Sequence, residues 1–355
     1  MKIKLAILDK DKNYLNRIVT AFEIKYSDKF EVYSFTEIDG AMQILNNTRI
    51  DVLIASDIFE IDATKIPNRC GFAYLVDSAE IDMLNNQRTI CKFQKADLIY
   101  KQILSIYSEK AGNITGLKIN DENCKLIVFA SPSGGAGSST MAAACALHYS
   151  AQGKKTLYLN LEKFGSSDVY FTAEGQFDMS DIIFALKSKK ANLSMKLESC
   201  VKQDQRGVYF YSQTKVALDM LELGEEDIVR LITELQLTGS YDYIILDMDF
   251  NITKENMDIY RRAHAIVMVG DGSEVSNMKL FRAYNALVTK EQDDDSPVAG
   301  RMVLLYNKFS NKSSRAIEGI DLKNIGGAPR YEHATIEQIL KQLSALKVFD
   351  EITNF

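Results

Sequence analysis

The feature that most constrains this chain is a glycine-rich segment at residues 131–140, Ser-Pro-Ser-Gly-Gly-Ala-Gly-Ser-Ser-Thr. An apolar run at residues 126–130 comes directly before it, and an alanine-rich run at residues 141–147 comes directly after it. This order predicts a strand, a tight glycine turn and a helix, which present backbone N–H groups and a helix N-terminus to an anion. The segment therefore predicts a phosphate-binding loop, and the alternative is an ordinary strand–helix turn.

The segment departs from the usual phosphate-binding loop (P-loop) at two positions. Ser138 follows the last glycine, where a P-loop has lysine, and Pro132 takes the place of the first glycine. The backbone amides that contact phosphate remain, so the interpretation depends on what the rest of the chain adds.

The composition predicts a globular protein of two domains. The chain has 355 residues, of which 46% are apolar and 25% charged, and its net charge is −6. The acidic balance argues against nonspecific binding to nucleic acid, and no apolar run is long enough to span a bilayer. Five scattered cysteines without a C-x-x-C pair are typical of a reducing compartment. We therefore expect a cytoplasmic protein whose three separated histidines are structural.

Residues 1–110 are predicted to form a domain in which strands alternate with helices. The apolar patterns predict strands at residues 4–8, 30–35, 52–55, 72–76 and 90–93, and helices at 13–25, 37–46 and 96–107. Five strands in this order favour a doubly wound, flavodoxin-like parallel sheet. Residues 111–123 are polar with two glycines, which predicts a linker.

The order of elements in residues 1–108 resembles the receiver domain of two-component response regulators. A receiver has two adjacent acids after its first strand to hold Mg²⁺, and this chain has Asp9 followed by Lys10. The phosphoacceptor position after the third strand is Ser56, and Asp57 comes one residue late. A shift of one residue turns a side chain to the other face of a strand, so Asp57 is not an equal substitute.

Two further receiver positions are partly kept. Lys92 matches the receiver lysine, and Asp77 or Ser78 stands at its hydroxyl position. We expect a receiver-like fold without phosphotransfer, which would bind a partner or dimerise. A phosphorylation-controlled response regulator, with acyl phosphate on Asp57 or Asp9, is one alternative.

Residues 124–355 are predicted to form a second α/β domain. Buried strands are predicted at residues 156–162, 241–247, 265–269 and 302–306, and helices at 179–186, 225–237 and 335–352. Polar residues gather at the carboxyl ends of these strands, where doubly wound folds bind ligands.

Five segments, in order, resemble the MinD/ParA ATPases. Residues 133–140 are similar to the family's P-loop, K-G-G-x-G-K-T-T, and residues 160–162 to its D-x-D element. Residues 241–247 resemble its Walker B strand, residues 307–309 its base-reading segment, and residues 329–330 its second base-contacting loop. The receiver-like domain in front narrows the resemblance to the TadZ/CpaE branch, which helps to place the Tad type IV pilus assembly.

The resemblance implies a site for ATP and Mg²⁺. The residues implied to bind phosphate are Ser133, Gly134, Gly135, Ala136, Gly137, Ser138, Ser139 and Thr140. Those implied to contact the base are Asn307, Lys308, Pro329 and Arg330. Ser139 and Asp247 would hold the metal, and Asp247, Glu162 and Asn160 take the catalytic positions. The alternatives are that Ser139 and Thr140 only cap the following helix and that Arg330 is a surface cation.

The departures from the family pattern concern hydrolysis more than binding. Ser133 and Ser138 replace both P-loop lysines, and Asn160 replaces the first acid of D-x-D. Losing a phosphate-clamping cation can cost about 10³–10⁵ in rate. Ser310 stands where the GTPase N-K-x-D motif has the aspartate that reads guanine, so adenine is favoured. We therefore expect ATP·Mg²⁺ binding with slow or absent hydrolysis.

Family resemblance also implies partners and a place in the cell. It implies a homodimer, concentration at a cell pole or pilus assembly site, and recruitment of secretion components such as the traffic ATPase. The last predicted helix has charges of balanced sign, unlike the basic membrane-binding tail of MinD, so no direct membrane attachment is expected. The alternatives are an active ATPase that cycles on and off a surface, as ParA and MinD do, and a nucleotide-free scaffold.

Overall fold

The computed structural model of the protein describes residues 2–110, 124–165, 167–189, 192–291 and 297–353. They divide into two compact units, each with its own sheet. The first unit contains the N-terminal residues together with a helix at Leu193–Cys200, and the second contains the rest. The predicted linker, residues 111–123, lies outside the described residues.

The first unit contains the predicted parallel sheet. Its strands are β1 (Ile3–Leu8), β2 (Phe30–Phe35), β3 (Val52–Ser56), β4 (Gly71–Val76), β5 (Met83–Leu84) and β6 (Gln87–Cys91), in the order β2-β1-β3-β4-β6-β5. The five predicted strands are all parallel, as expected. The sixth, β5, is a two-residue edge strand that pairs antiparallel to β6.

Three helices of the first unit follow the predicted apolar stripes. They are α1 (Lys12–Lys25), α2 (Ile38–Asn47) and α3 (Ala96–Lys110). Asp11 caps α1, since its carboxylate accepts hydrogen bonds from the amides of Asn13 and Tyr14. Within this unit the helix Leu193–Cys200 packs on α3, where the Tyr100 hydroxyl donates to Glu198 at 2.7 Å.

The expected alternation of strands and helices is wrong in the second half of the first unit. Only a short 3₁₀ helix, Ala63–Lys65, lies between β3 and β4, and only β5 lies between β4 and β6. The segment after β3 has no helical stripe. Its apolar side chains Phe59, Ile61 and Ile66 are buried and cover the sheet directly, as a helix would.

The second unit is an eight-stranded sheet. Its strands are β7 (Lys125–Ala130), β8 (Thr156–Asn160), β9 (Lys202–Gln203), β10 (Tyr209–Phe210), β11 (Tyr243–Asp247), β12 (Ala265–Gly270), β13 (Met302–Phe309) and β14 (Lys323–Pro329), in the order β14-β13-β12-β7-β11-β8-β10-β9. Every pairing is parallel except that of β9 with β10. The sheet therefore has a central strand, β7, that leads directly into the glycine-rich segment.

The remaining helices connect these strands. They are α4 (Ser138–Ala151), α5 (Ser167–Tyr170), α6 (Met179–Lys187), α7 (Leu193–Cys200, in the first unit), α8 (Ala217–Leu221), α9 (Glu225–Leu237), α10 (Lys254–Arg262), α11 (Glu274–Lys290) and α12 (Ile336–Ser344). Every residue of α4 from Met141 to Tyr149 is buried, which explains its small side chains.

The single helix predicted at residues 335–352 is wrong. The α-helix ends at Ser344, and a 3₁₀ helix follows at Lys347–Thr353. Phe349 and Ile352 are fully buried but lie off the helical stripe of α12, so one straight helix cannot bury all of these side chains. His148 stabilises the junction between the two helices, because its ring nitrogens contact the Ser344 carbonyl and Asp350. This is a structural role, as expected for the histidines.

Candidate functional site

The glycine-rich segment forms a loop that only glycine fits at its last turn. Gly135 and Gly137 adopt left-handed backbone angles, with φ of 81° and 87°. A Cβ atom on Gly137 would lie 2.3 Å from the side-chain nitrogen of Asn307. The loop is fixed to the sheet by Ser131, whose hydroxyl donates to the Val269 carbonyl of β12 at 2.7 Å.

The loop leads into the N-terminus of α4, whose first residue is Ser138. The N-cap, Gly137, makes no side-chain capping bond, so this helix end keeps N–H groups and the positive end of its dipole for an anion. Ser139 and Thr140 do not serve as the N-cap. Their hydroxyls contact Glu162 at 3.0 Å and Tyr170 at 3.3 Å instead.

A buried carboxylate lies beside this helix end. Asp247 ends β11 opposite Asn160 of β8, and it is fully buried. Its Oδ2 accepts hydrogen bonds from the Tyr158 hydroxyl at 2.8 Å and from the Asn160 amide at 2.9 Å. Its Oδ1 makes no hydrogen bond within the described structure. The two donors therefore fix the carboxylate and leave one buried oxygen without a partner.

The environment of Asp247 favours its neutral form. Burial and, to a smaller extent, the nearby Glu162 charge together raise the pKa of Asp247 to about 8, although the Tyr158 hydrogen bond opposes the shift. A cation beside the carboxylate would reverse this preference, because it stabilises the charged form.

Glu162 connects the carboxylate to the loop. It accepts hydrogen bonds from the Ser139 hydroxyl at 3.0 Å and from the Asn160 amide at 3.1 Å. The oxygen atoms of Ser139, Glu162 and Asp247 are thereby collected at one strand-end cluster, and oxygen is the ligand atom that Mg²⁺ prefers. Within the described ranges there is no group of three or more His, Cys, Asp or Glu that could hold a metal ion. A magnesium ion here would therefore need phosphate oxygens and water as well.

The two lysine replacements leave the loop without a cation of its own. The hydroxyl of Ser138 is buried and makes no hydrogen bond within the described structure. The segment predicted to contact the base reaches the loop from β13: the Asn307 amide donates to the Ala136 carbonyl at 2.9 Å, and the Lys308 ammonium donates to the Gly135 carbonyl at 2.8 Å. These contacts to the loop are additional to the predicted contact with the base.

The remaining predicted residues lie at the same edge of the sheet. Pro329 ends β14 opposite Phe309 of β13, so the exposed Arg330 follows at the carboxyl end of the neighbouring strand. The sequence analysis missed Tyr158 as a site residue. The sequence could have indicated it, because Tyr158 is two residues before the predicted site residue Asn160, and residues two apart lie on the same face of a strand. Tyr170 carried no comparable signal, and Ser131 belongs to the predicted loop but was not predicted to fix it to the sheet.

The receiver-like pocket of the first unit is filled by lysine. The ammonium of Lys92 lies 2.9 Å from Asp9, 3.1 Å from the Ser56 hydroxyl and 3.5 Å from Asp77. Burial alone lowers the pKa of Lys92, but the Asp9 and Asp77 carboxylates together raise it above its usual value. Lys92 therefore places a positive charge where a receiver would hold its metal ion.

We expect that acetyl phosphate does not phosphorylate the chain. The acceptor position is Ser56, the Asp57 side chain is exposed, and Lys92 already neutralises Asp9. Intact-mass spectrometry after incubation with acetyl phosphate and Mg²⁺ checks this. A phosphoryl mass that disappears in Asp57→Asn or Asp9→Asn would contradict it and favour a regulated receiver.

Comparison with known protein families identifies the first unit. Residues 1–108 match the family described as "TadZ-like, receiver domain". A search of curated proteins found no match.

Comparison with solved structures identifies the fold of the second unit. A ParA family ATPase from Chlorobium tepidum aligns with 66% of this chain and 98% of its own, at 20% identity and a TM-score of 0.51, which shows a shared fold. MinD from Pyrococcus horikoshii, complexed with Mg-ADP, aligns with 65% of this chain and 94% of its own, at 15% identity and a TM-score of 0.49. A chain of the MinC:MinD cell division protein complex from Aquifex aeolicus aligns with 65% of this chain and 96% of its own, at 16% identity and a TM-score of 0.48. The match to the ParA family ATPase shows that the second unit has a MinD/ParA-like P-loop NTPase fold, as predicted.

No helix within the described residues is long and apolar enough to cross a membrane.

Proposed function

We propose that this chain, a TadZ/CpaE-type protein with a receiver-like N-terminal domain, binds ATP·Mg²⁺ on the loop at residues 133–140 and hydrolyses it slowly or not at all. In this proposal the bound nucleotide stabilises an assembly factor for a Tad-type pilus. The chemistry of turnover has been lost, while the means of holding the nucleotide remain.

The observation that carries the proposal is that two buried polar atoms at the loop lack hydrogen-bond partners among the described residues. The buried Oδ1 of Asp247 and the buried hydroxyl of Ser138 make no hydrogen bond within the described structure. Unpaired buried polar atoms cost about 1–3 kcal/mol each unless a ligand or water satisfies them. Both belong to the loop and strand-end groups that an NTPase fold uses, and phosphate with a hydrated Mg²⁺ supplies the missing partners.

The residues of this chain fit such a ligand in defined roles. Backbone N–H groups of the loop and the start of α4 bind the phosphates, and Thr140 lies in the first helical turn for the α-phosphate. Ser139 and Asp247 hold Mg²⁺, and Glu162 orients the Ser139 hydroxyl. When bound, the metal neutralises phosphate charge. Tyr158 and Asn160 keep the Asp247 carboxylate in one orientation.

Recognition of the base is assigned to the ends of β13 and β14. Asn307 and Lys308 lie near the end of β13, Pro329 ends β14, which pairs with it, and Arg330 follows. The absence of an aspartate at Ser310 removes the carboxylate that guanine requires, so adenine is the proposed base.

Slow hydrolysis follows from the missing charges. Ser133 and Ser138 supply no cation to stabilise charge on the transferring phosphoryl group, which in other enzymes costs about 10³–10⁵ in rate. Asn160 replaces an acid that would position water, and its amide already donates to Asp247, Glu162 and the Tyr158 hydroxyl. A carboxamide is too weak a base to take a proton from water, and its Oδ1 already accepts a hydrogen bond from the Glu162 backbone amide.

The proposal extends to partners and location. A homodimer held by nucleotide would be concentrated in the cytoplasm at a cell pole or pilus assembly site. There it would recruit secretion components such as the traffic ATPase. These steps rest on the Tad-type receiver match and the MinD/ParA fold.

ATP·Mg²⁺ is expected to bind with a dissociation constant in the micromolar to submillimolar range. Asp247→Asn and Ser139→Ala each remove a metal ligand, so each is expected to weaken binding by at least about 10-fold, equivalent to about 1.4 kcal/mol. Isothermal titration calorimetry measures both changes. Asp321→Asn, the same charge change at an exposed residue away from the site, is the matched control.

Two outcomes would redirect the proposal. No binding at millimolar ATP in the unchanged chain would mean a nucleotide-free scaffold. Brisk single-turnover hydrolysis that Asp247→Asn abolishes would mean an active cycling ATPase. Sedimentation of the same samples tests the dimer, which is expected to form with ATP·Mg²⁺ and to persist without phosphate release.

A further inference from the structure

The end of β13 carries an unusual backbone conformation. Lys308 has a φ of 57°, in the left-handed region that non-glycine residues rarely adopt. The pairing of β13 with β14 shifts register between Tyr306 and Phe309, on either side of it. Irregularities of this kind re-aim a side chain and are held in place by the surrounding structure.

The re-aimed side chain crosses the glycine-rich loop. The Lys308 ammonium donates to the Gly135 carbonyl at 2.8 Å, and its Cε atom lies 3.6 Å from where a Cβ on Gly137 would be. The neighbouring Asn307 amide, which is buried, donates to the Ala136 carbonyl at 2.9 Å. Two consecutive residues of β13 therefore hold two consecutive carbonyls of the loop.

We propose that Asn307 and Lys308 form a clamp that fixes the P-loop in its phosphate-binding shape and that Lys308 supplies the positive charge that the loop itself lacks. Both are positioning residues in this role, distinct from any contact they make with the base. The inference rests on the proposed nucleotide binding for its functional meaning. The clamp itself is a property of the protein without nucleotide.

The choice of partner atoms supports this role. Both side chains bind loop carbonyls, so neither competes for the N–H groups that phosphate needs. A loop containing Gly134, Gly135 and Gly137 loses much conformational freedom when it is ordered, so contacts that order it beforehand reduce the cost of binding. Because positions 133 and 138 are serines, the loop has no lysine of its own. The positive charge of Lys308 therefore helps to stabilise an anion bound on the loop.

Lys308→Met tests the clamp, because it keeps the length of the side chain and removes its charge and hydrogen bonds. Without nucleotide, hydrogen exchange of the Ala136 amide, which donates to the Ser133 carbonyl within the loop, is expected to become about 5-fold faster, corresponding to one lost hydrogen bond. Affinity for ATP·Mg²⁺ is expected to fall by a similar factor. Lys312→Met, at an exposed lysine four residues further on, is the matched control and is expected to change neither.

Lys308→Gly separates the clamp from a merely structural role. Glycine relieves the left-handed backbone, so a structural role predicts unchanged or slower exchange of the loop. The clamp predicts faster exchange, as in Lys308→Met, although the backbone strain is gone. Unchanged loop exchange in both variants overturns the inference. Absence of ATP binding in the unchanged chain defeats the proposed function alone, because the exchange comparison needs no nucleotide.

Discussion

Lys92→Met is expected to destabilise the first unit by about 3 kcal/mol, because it leaves the Asp9 carboxylate buried without a counter-charge. Asp9 is 1% exposed, and the ion pair with Lys92 has a separation of 2.9 Å. The Asp11 amide, which also donates to Asp9, cannot replace a full positive charge. Lys10 cannot substitute either, since its ammonium lies over the Phe59 ring.

The measurement is hydrogen exchange in the full chain. Amides of β1 and β3 are expected to exchange about 100-fold faster in Lys92→Met, as the loss of 3 kcal/mol requires. Amides of β7 and β11, in the second unit, serve as the internal reference.

The double variant Asp9→Asn with Lys92→Met is expected to regain most of the lost stability. Removing both members of a buried pair leaves no unpaired charge. Lys10→Met is the matched control and is expected to cost less than about 1 kcal/mol, since among the described residues its ammonium makes only a cation–π contact, with the Phe59 ring. Equal stability of Lys92→Met and the unchanged chain would show that Lys92 does not stabilise the receiver-like pocket.

Gly137→Ala is expected to reduce affinity for ATP·Mg²⁺ by about 100-fold, equivalent to nearly 3 kcal/mol. A φ of 87° is strained for alanine, at about 1–2 kcal/mol. The new methyl group would also meet the buried Asn307 amide at 2.3 Å and displace it from the Ala136 carbonyl. Loss of that hydrogen bond adds about 1–3 kcal/mol, so the loop must move out of its binding shape.

Calorimetry measures the affinity, and thermal unfolding reports whether the fold survives. Gly134→Ala is the matched control for stability, because a Cβ there meets nothing within 4 Å and its φ is not in the left-handed region. Unfolding temperatures of the two variants are expected to differ by only a few degrees. If Gly137→Ala binds as tightly as the unchanged chain, the left-handed turn is not required for the site.

The sequence predicted most of what depends on neighbours in the chain. Short local patterns predicted five strands of the first sheet and strands β7, β8, β11, β12 and β13 of the second. They also predicted the loop at residues 131–140 and the acid that ends β11. Strands β5, β9, β10 and β14 were not predicted. The terminal helix was the main error, because Phe349 and Ile352 are buried by contacts that a helical stripe cannot anticipate. The sequence also did not predict that residues 193–200 lie beside α3 in the first unit, because that position comes from packing rather than from their own pattern.

By itself, the sequence determined that a glycine-rich turn would follow a buried strand and that polar residues would end its neighbours, because strand and turn preferences act over a few residues. Only the tertiary structure decided how those side chains pair. Tyr158 meets Asp247 from 89 residues away, and Lys308 meets Gly135 from 173 residues away. Such contacts depend on the order and register of parallel strands, which local patterns leave open.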